Sequence, residues 1–401
     1  MKEILIVGSS FGGLTTAFEL RKRLGPAEAR ITVLSKSSRF TFIPALPWVA
    51  LGEARVADLS VEVGPALARR GIFFAQETLL AVDPARRTLS TDKGERTYDT
   101  LVLATGHRSA NEAVPGLGPE GGPGHSLMSP AEAEEAGAAL KGLLASPGPI
   151  VIGCAPGASC IGPAYEFVLE LDHLLRKRRL RHRVPIQFLT PEPFLGHFGM
   201  GGMGGRQFLE TEFEKRDIRY TCSAAVTRIG EKEVELADGR RFDSLYSMVI
   251  PALAGVTAVA GVPGLGNPKG FIPVDAHYRH KDHPDIYAVG VAVALPPVEA
   301  TPVPVNFLKT GHMTEQMARL AAENIAAAVH GAAPVARDLS SACLMDLGDR
   351  GAYLFADPVR PPRNTVSFSV GRRWLWAKRF FPRYYLWSLR RGVIPKLKWV
   401  W

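Results

Sequence analysis

Residues 153–167 read GCAPGASCIGPAYEF and follow the apolar run Pro149-Ile150-Val151-Ile152. A strand that runs into a glycine turn and then a helix is the usual cradle of a dinucleotide pyrophosphate. Here a thiol, Cys160, stands where the helix is expected to begin. Against the pattern GxGxxG the turn reads Gly153, Ala155, Ala158, so two positions carry a methyl group that hinders close backbone approach. At a helix N-terminus exposed N–H groups and the helix dipole favour a thiolate, the nucleophilic form of cysteine. The competing reading is a buried structural cysteine, the commoner state of a single thiol in an apolar segment. A second thiol, Cys343, lies in Ser-Ser-Ala-Cys-Leu-Met-Asp, and Cys154 and Cys222 complete the set. Four cysteines in 401 residues make neither a disulfide scaffold nor a CxxC zinc pair, so each is judged by its own surroundings.

The elements that would position these groups have the order of nucleotide-binding α/β units. The N-terminal segment reads strand (4–7), glycine turn, helix (14–24) and strand (31–34). Its turn fits GxGxxG at Gly8 and Gly13, with Phe11 and Gly12 between and Ser10 in the middle glycine's place. The second strand ends in Ser35-Lys36, where an acid would normally meet the adenosine ribose. A buried strand from Tyr98 runs into Ala104-Thr105-Gly106, and the second unit starts at Pro149 and continues to a strand over 186–190. A later strand over 285–290 ends in Gly290-Val291, and an alanine-rich helix is expected over 311–329, just after Lys309. Two nucleotide-like units, with a late strand and helix returning to the first, suggest a two-domain flavoprotein architecture of the α/β class.

Composition narrows the function classes. With 46% hydrophobic and 22% charged residues the chain has the content of two or three globular units. Its longest apolar stretch, near 248–265, is broken by Pro251, Gly255, Gly261 and Pro263 and is no spanning helix. The N-terminus passes straight into a strand without the apolar stretch and cleavage site of a signal peptide, so a cytoplasmic chain is expected. The net charge of +9 resides in the tail: residues 358–401 hold eleven Lys or Arg, no Asp or Glu, and five of the six tryptophans. Such a segment is too charged to span a bilayer but suits its anionic interface, and Pro382 is expected to split it into two short helices. Binding of single-stranded nucleic acid is the rival reading of basic and aromatic residues together, and it is not the one adopted. A packing or dimer-forming tail is a third.

Several stretches together resemble the sulfide:quinone oxidoreductase family, a branch of the FAD-dependent pyridine-nucleotide-disulfide reductases. They are FTFIPALPWVALG (40–52, with Pro44), GASCIGPAYEF (157–167), TPEPFLGHFGMGG (190–202), VGVAVALPPVEATPVP (289–304), KTGHMTEQMA (309–318) and CLMDLGDRGA (343–352). The resemblance implies two Rossmann-like domains of the disulfide-reductase type, the FAD-binding one from 1–115 and 270–335 and the second, with the redox cysteine, from 116–269. A quinone and membrane region at 336–401 completes the chain. It implies FAD as cofactor, sulfide and a membrane quinone as reactants, and a peripheral, monotopic place on the cell membrane through residues 372–401. Cys160 and Cys343 match the family's redox cysteines, Glu166 and His197 its proton-handling positions, and Lys309 the group that steadies a reduced flavin. Hydrosulfide would open a bridge between the two cysteines, and sulfur would leave as polysulfide or elemental sulfur.

Two departures stand out. Met128 occupies the place of a third cysteine and Glu132 that of a histidine, so FAD is expected to be held without a covalent bond at that position. Val291 replaces the acid that binds ribityl hydroxyls in disulfide reductases. The rival functions are a type II NADH:quinone oxidoreductase, opposed by the degenerate second turn, and the flavoprotein subunit of flavocytochrome c sulfide dehydrogenase, opposed by the membrane-suited tail. A flavin-binding adaptor with inert cysteines is the non-enzymatic reading. The oligomeric state stays open, a homo-oligomer included.

Overall fold

A computed structural model describes residues 1–118 and 122–395. Its main elements begin β1 (Lys2–Val7), α1 (Phe11–Arg23), β2 (Ala29–Ser35), α2 (Leu46–Ala50), β3 (Phe73–Gln76), β4 (Thr100–Leu103), β5 (Gly124–His125) and α3 (Pro130–Ala145). They continue β6 (Ile150–Cys154), α4 (Gly162–Lys177), β7 (Ile186–Leu189), β8 (Ile218–Thr221), β9 (Tyr246–Ile250), β10 (Ile286–Ala288) and α5 (Gly311–Val329). The last are β11 (Ser341–Asp346), β12 (Gly351–Asp357), β13 (Thr365–Gly371) and α6 (Arg372–Arg390).

Two parallel five-stranded sheets carry the fold, in the orders β10-β4-β1-β2-β3 and β5-β9-β6-β7-β8. Their central strands are apolar without alternation, as β6 (IVIGC) and β9 (YSMVI) are buried along their whole length. Helices must therefore cover both faces, which is the layering of an α/β fold. In such sheets ligands bind where strands run out into turns, and the two glycine turns follow β1 and β6.

Helix α1 starts three residues earlier than the apolar pattern indicated, because Gly12 and Gly13 give no periodic signal yet belong to its first turn. An added Cβ on Gly13 would meet Gly8 O at 1.8 Å, so only glycine lets the turn close. The third sheet, β11-β12-β13, is antiparallel and leads into α6. That helix is continuous through Pro382, contrary to the expected break. Phe381, Tyr385, Leu386 and Leu389 lie buried on its inner side, and this packing holds the helix across the missing backbone donor. Among the described residues no helix is long and apolar enough to cross a membrane. The expected membrane segment extends over residues 396–401, which lie outside the described residues.

Candidate active site

The residues expected to hold a dinucleotide come together at the end of the first sheet. Gly8 (φ +114°) lies so close to the end of β4 that an added Cβ would be 2.2 Å from Ala104 O, beside Thr105 and Gly106. Gly12 faces Val289 and Thr314, at 3.1 and 3.3 Å from such a Cβ, which ties the turn to β10 and α5. Gly290 (φ +72°) has the same need of a bare Cα against Thr314. Ser10 caps α1 without a side-chain hydrogen bond, and the first-turn amides of any helix lack intrahelical acceptors. The end of β2 is fixed by Ser9 Oγ donating to Ser35 Oγ at 2.9 Å, with Lys36 exposed beyond it. Phe11 packs edge-on against Phe40 and Phe42, and all three rings meet Tyr385 of α6.

Lys309 lies behind this cradle. Its Nζ donates to Val291 O at 2.9 Å and Val293 O at 2.7 Å and stands over the Phe271 ring. Burial brings the ammonium down to about 7. His107, after Thr105-Gly106, is likewise brought down to about 4 by burial, with the charge of Lys309 adding to the effect. Met128 is partly buried against the core, and Glu132 accepts a 3.4 Å hydrogen bond from Ser109.

Cys160 precedes α4, whose N-cap is Ile161, and Cys343 sits in β11 opposite Leu354. Both are free thiols, partly accessible as residues, and each feels burial first. Burial pushes Cys160 up to about 12, with Cys343 beside it adding to the shift. Cys343 is pushed up to about 11 by burial, opposed by Lys378 and reinforced by Glu166. Cys160 stands one residue before the N-cap of α4, at the helix N-terminus as expected, and burial opposes the thiolate that the helix dipole would favour.

A buried ionic cluster adjoins Cys343. Lys378 Nζ lies 2.9 Å from Glu166 Oε1 and donates to Pro44 O at 3.1 Å, so Pro44 serves the cluster through its carbonyl. Glu166 Oε1 also accepts from Asp346 N at 3.0 Å, and Arg379 Nε donates to Asp346 Oδ2 at 2.9 Å. Burial raises the Glu166 carboxyl despite the pull of Lys378. The sequence reading missed Lys378, Asp346, Glu170 and Trp48. Lys378 was counted among tail cations expected to meet lipid, but it is the inward residue of α6. The spacing of Glu166 and Glu170, four apart on α4, was the readable signal for a shared helix face.

The second glycine turn is used by the chain itself. Gly157 N donates to Pro304 O at 2.6 Å, Asn306 N to Ala158 O at 3.1 Å, and Asn306 Nδ2 to Gly157 O at 2.6 Å. Glu192, after β7, accepts from Thr190 Oγ1, Tyr165 Oη and Phe198 N, and burial moves its carboxyl up to about 7. The loop bearing His197 rests on the same strap, since a Cβ on Gly199 would be 2.1 Å from Asn306 O. His197 Nδ1 accepts from Gly199 N at 3.1 Å, which leaves the ring proton on Nε2 for Glu299 Oε1 at 2.8 Å. The ring is buried, unlike the surface histidine that a glycine-rich loop usually carries.

A cavity of about 390 Å³ lies elsewhere, at the far end of α6, lined by Lys22, Tyr384, Trp387, Arg391 and Ile394. It contains neither thiol. The outer face of α6 is aromatic and basic: Trp376, Phe380 and Trp387 are 70%, 63% and 51% exposed, so more than half of each ring system is in solvent. Tyr384 stacks between Phe380 and Trp387, and Arg391 lies 3.5 Å over the Trp387 ring.

Residues 2–158 match the pyridine nucleotide-disulphide oxidoreductase family. The chain is 36% identical to the sulfide-quinone reductase of Aquifex aeolicus over 98% of its own length and 92% of the relative's. It is 24% identical to the mitochondrial sulfide:quinone oxidoreductase of Mus musculus over 73% of this chain and 66% of that protein. The crystal structure of the Aquifex aeolicus sulfide:quinone oxidoreductase superposes with a TM-score of 0.94, covering 99% of this chain and 94% of the other.

Proposed function

The chain belongs to the sulfide-quinone reductase family, and on that premise we propose that it oxidises sulfide to polysulfide or elemental sulfur and passes the electrons to a membrane quinone. The family is FAD-dependent. The N-terminal cradle fits such a cofactor, because Gly8, Gly12, Gly13 and Gly290 leave no room for a side chain where a pyrophosphate and flavin need close backbone approach. Ser10, Phe11, Ser35, Lys36, Thr105, Gly106 and Val291 would line it. When bound, FAD supplies two-electron carriage between sulfur and quinone.

The sulfur chemistry falls to Cys160 and Cys343. In their bridged form, hydrosulfide attacks one sulfur, leaving a persulfide on that cysteine and a thiolate on the other. Lys378 favours the thiolate at Cys343, and Glu166 accepts the proton that the hydrosulfide carries in. Lys309 holds positive charge beside the cradle, where reduction brings negative charge. His197, held by Glu299, handles a proton at Nε2. The single observation that carries the thiol route is that Cys343, from a distant segment, acts on the charge of Cys160 and is itself acted on by the buried Glu166–Lys378 pair. Bonding of the second turn by Pro304 and Asn306 favours sulfide over a nicotinamide donor. The exposed aromatic and basic face of α6 supports a peripheral place on an anionic membrane, and the cell membrane is the one proposed.

Mass spectrometry of protein quenched during sulfide turnover tests this route. One or more added sulfur atoms are expected on Cys160 or Cys343. Turnover with neither cysteine modified or bridged would remove the thiols from the reaction.

A further inference from the structure

The cluster beside Cys343 contains one carboxylate more than its hydrogen bonds can satisfy. Glu170 is 4% exposed and follows Glu166 by one helical turn. Its Oε1 accepts from Trp48 Nε1 at 2.7 Å, while Oε2 is buried with no donor among the described residues. The side chain that Glu170 meets is Asp346, itself a carboxylate with no exposure. Two carboxylates bond to each other only when one carries a proton. Among the described residues the charged groups that act most on Glu170 are Glu166 on its own helix, Asp346 on β11, and Lys378 and Arg379 on α6. With Glu170 neutral the two cations balance the two remaining carboxylates, whereas an ionised Glu170 would leave a buried charge uncompensated.

We propose that Glu170 holds the reserve proton of the sulfide half-reaction, sharing it with Asp346 and exchanging it with Glu166. This rests on the thiol route above. The proton that the hydrosulfide carries in goes to Glu166, Glu166 passes it to Asp346, and Glu170 releases the one it held toward the exposed Arg379–Glu53 pair. One proton has then moved from hydrosulfide to solvent, and the Glu170–Asp346 pair again holds one. The carboxylates end with the charges they began with, and the one new buried negative charge is the Cys343 thiolate, which Lys378 offsets. Burial, then the carboxylates of Glu166 and Asp346, hold the Glu170 carboxyl well above the ordinary carboxylate range, in keeping with this role. Glu170 touches neither cysteine, so it acts as a positioning residue.

The test is Glu170→Gln, which keeps the acceptor for Trp48 and removes the proton. In the infrared difference between the resting FAD-loaded parent and the variant, one protonated-carboxyl band is expected. Flavin reduction by sulfide should slow roughly tenfold, below the 10²–10⁴-fold supplied by a direct acid or base, and lose the alkaline limb of its pH profile. Absence of that difference band, or a pH profile superimposable on the parent's, overturns the inference. If this variant fails to fold, Trp48→Phe removes the donor that favours ionised Glu170, so the band should survive to higher pH, and no movement overturns the inference equally. Absence of sulfide reduction in the parent protein would refute the thiol route itself, while the infrared arm would still decide the proton on Glu170.

Discussion

Cys160 and Cys343 are separated by 183 positions, and their value as a pair depends on what surrounds them. Cys160→Ser and Cys343→Ser should each slow sulfide oxidation on the order of 10³-fold or more, as removal of a nucleophile does, while FAD stays bound. Cys222→Ser should be nearly silent in the same steady-state assay, because Cys222 lies apart from the cluster and near Glu192. Lys309 adds a pH signature. Its folded value is lowered to about 7 from 10.5, so between those limits the unfolded chain binds more protons and stability rises with pH. Below about 7 the full burial penalty is present. Lys309→Met should therefore flatten the rise in urea midpoint of the FAD-free protein from pH 7 to 10; an unchanged rise would assign the charge elsewhere. The two cysteines proposed as reactive stood out in the sequence because each sits in a distinctive stretch. Lys378 was not, since a cation in a run of cations carries no sign of which one turns inward.

At the scale of elements, most of the α/β framework was legible from apolar runs ending in glycine. Helix α5 spans the residues its periodicity indicated, whereas α1 and α6 departed where glycine and proline obscured the pattern. Helix α6 has two faces with separate tasks: Tyr385 and Phe381 pack against Phe42, and Trp376, Phe380 and Trp387 face outward. Removal of everything after Gly371 would thus strip part of the core and the Lys378 pair, which makes the tail structural as well as the proposed membrane contact. Substituting Trp376, Phe380 and Trp387 together by Ala should instead weaken liposome flotation while leaving FAD content and melting temperature nearly unchanged. In the parent protein high salt should reduce flotation without abolishing it, as each cation near an anionic surface contributes about 1 kcal/mol and aromatic burial is insensitive to salt. Undiminished flotation of the triple variant would put the membrane contact on another surface.

At the scale of the whole molecule, two similar nucleotide-binding frames have different occupants. The first keeps a bare glycine turn; the second is closed by Pro304 and Asn306 of the chain's own strap, and its neighbouring Glu192 is committed to Tyr165, Thr190 and Phe198. Composition hinted at that closure through Ala155 and Ala158, but the strap comes from more than 140 residues later and left no local signal. The donor therefore separates this architecture from an NADH-oxidising one. Anaerobic stopped-flow spectra of the FAD-loaded protein, mixed separately with sulfide and with NADH, test this most directly. Rapid bleaching of the flavin band by sulfide, with NADH leaving it unchanged, is the predicted result, and fast bleaching by NADH with none by sulfide would contradict it.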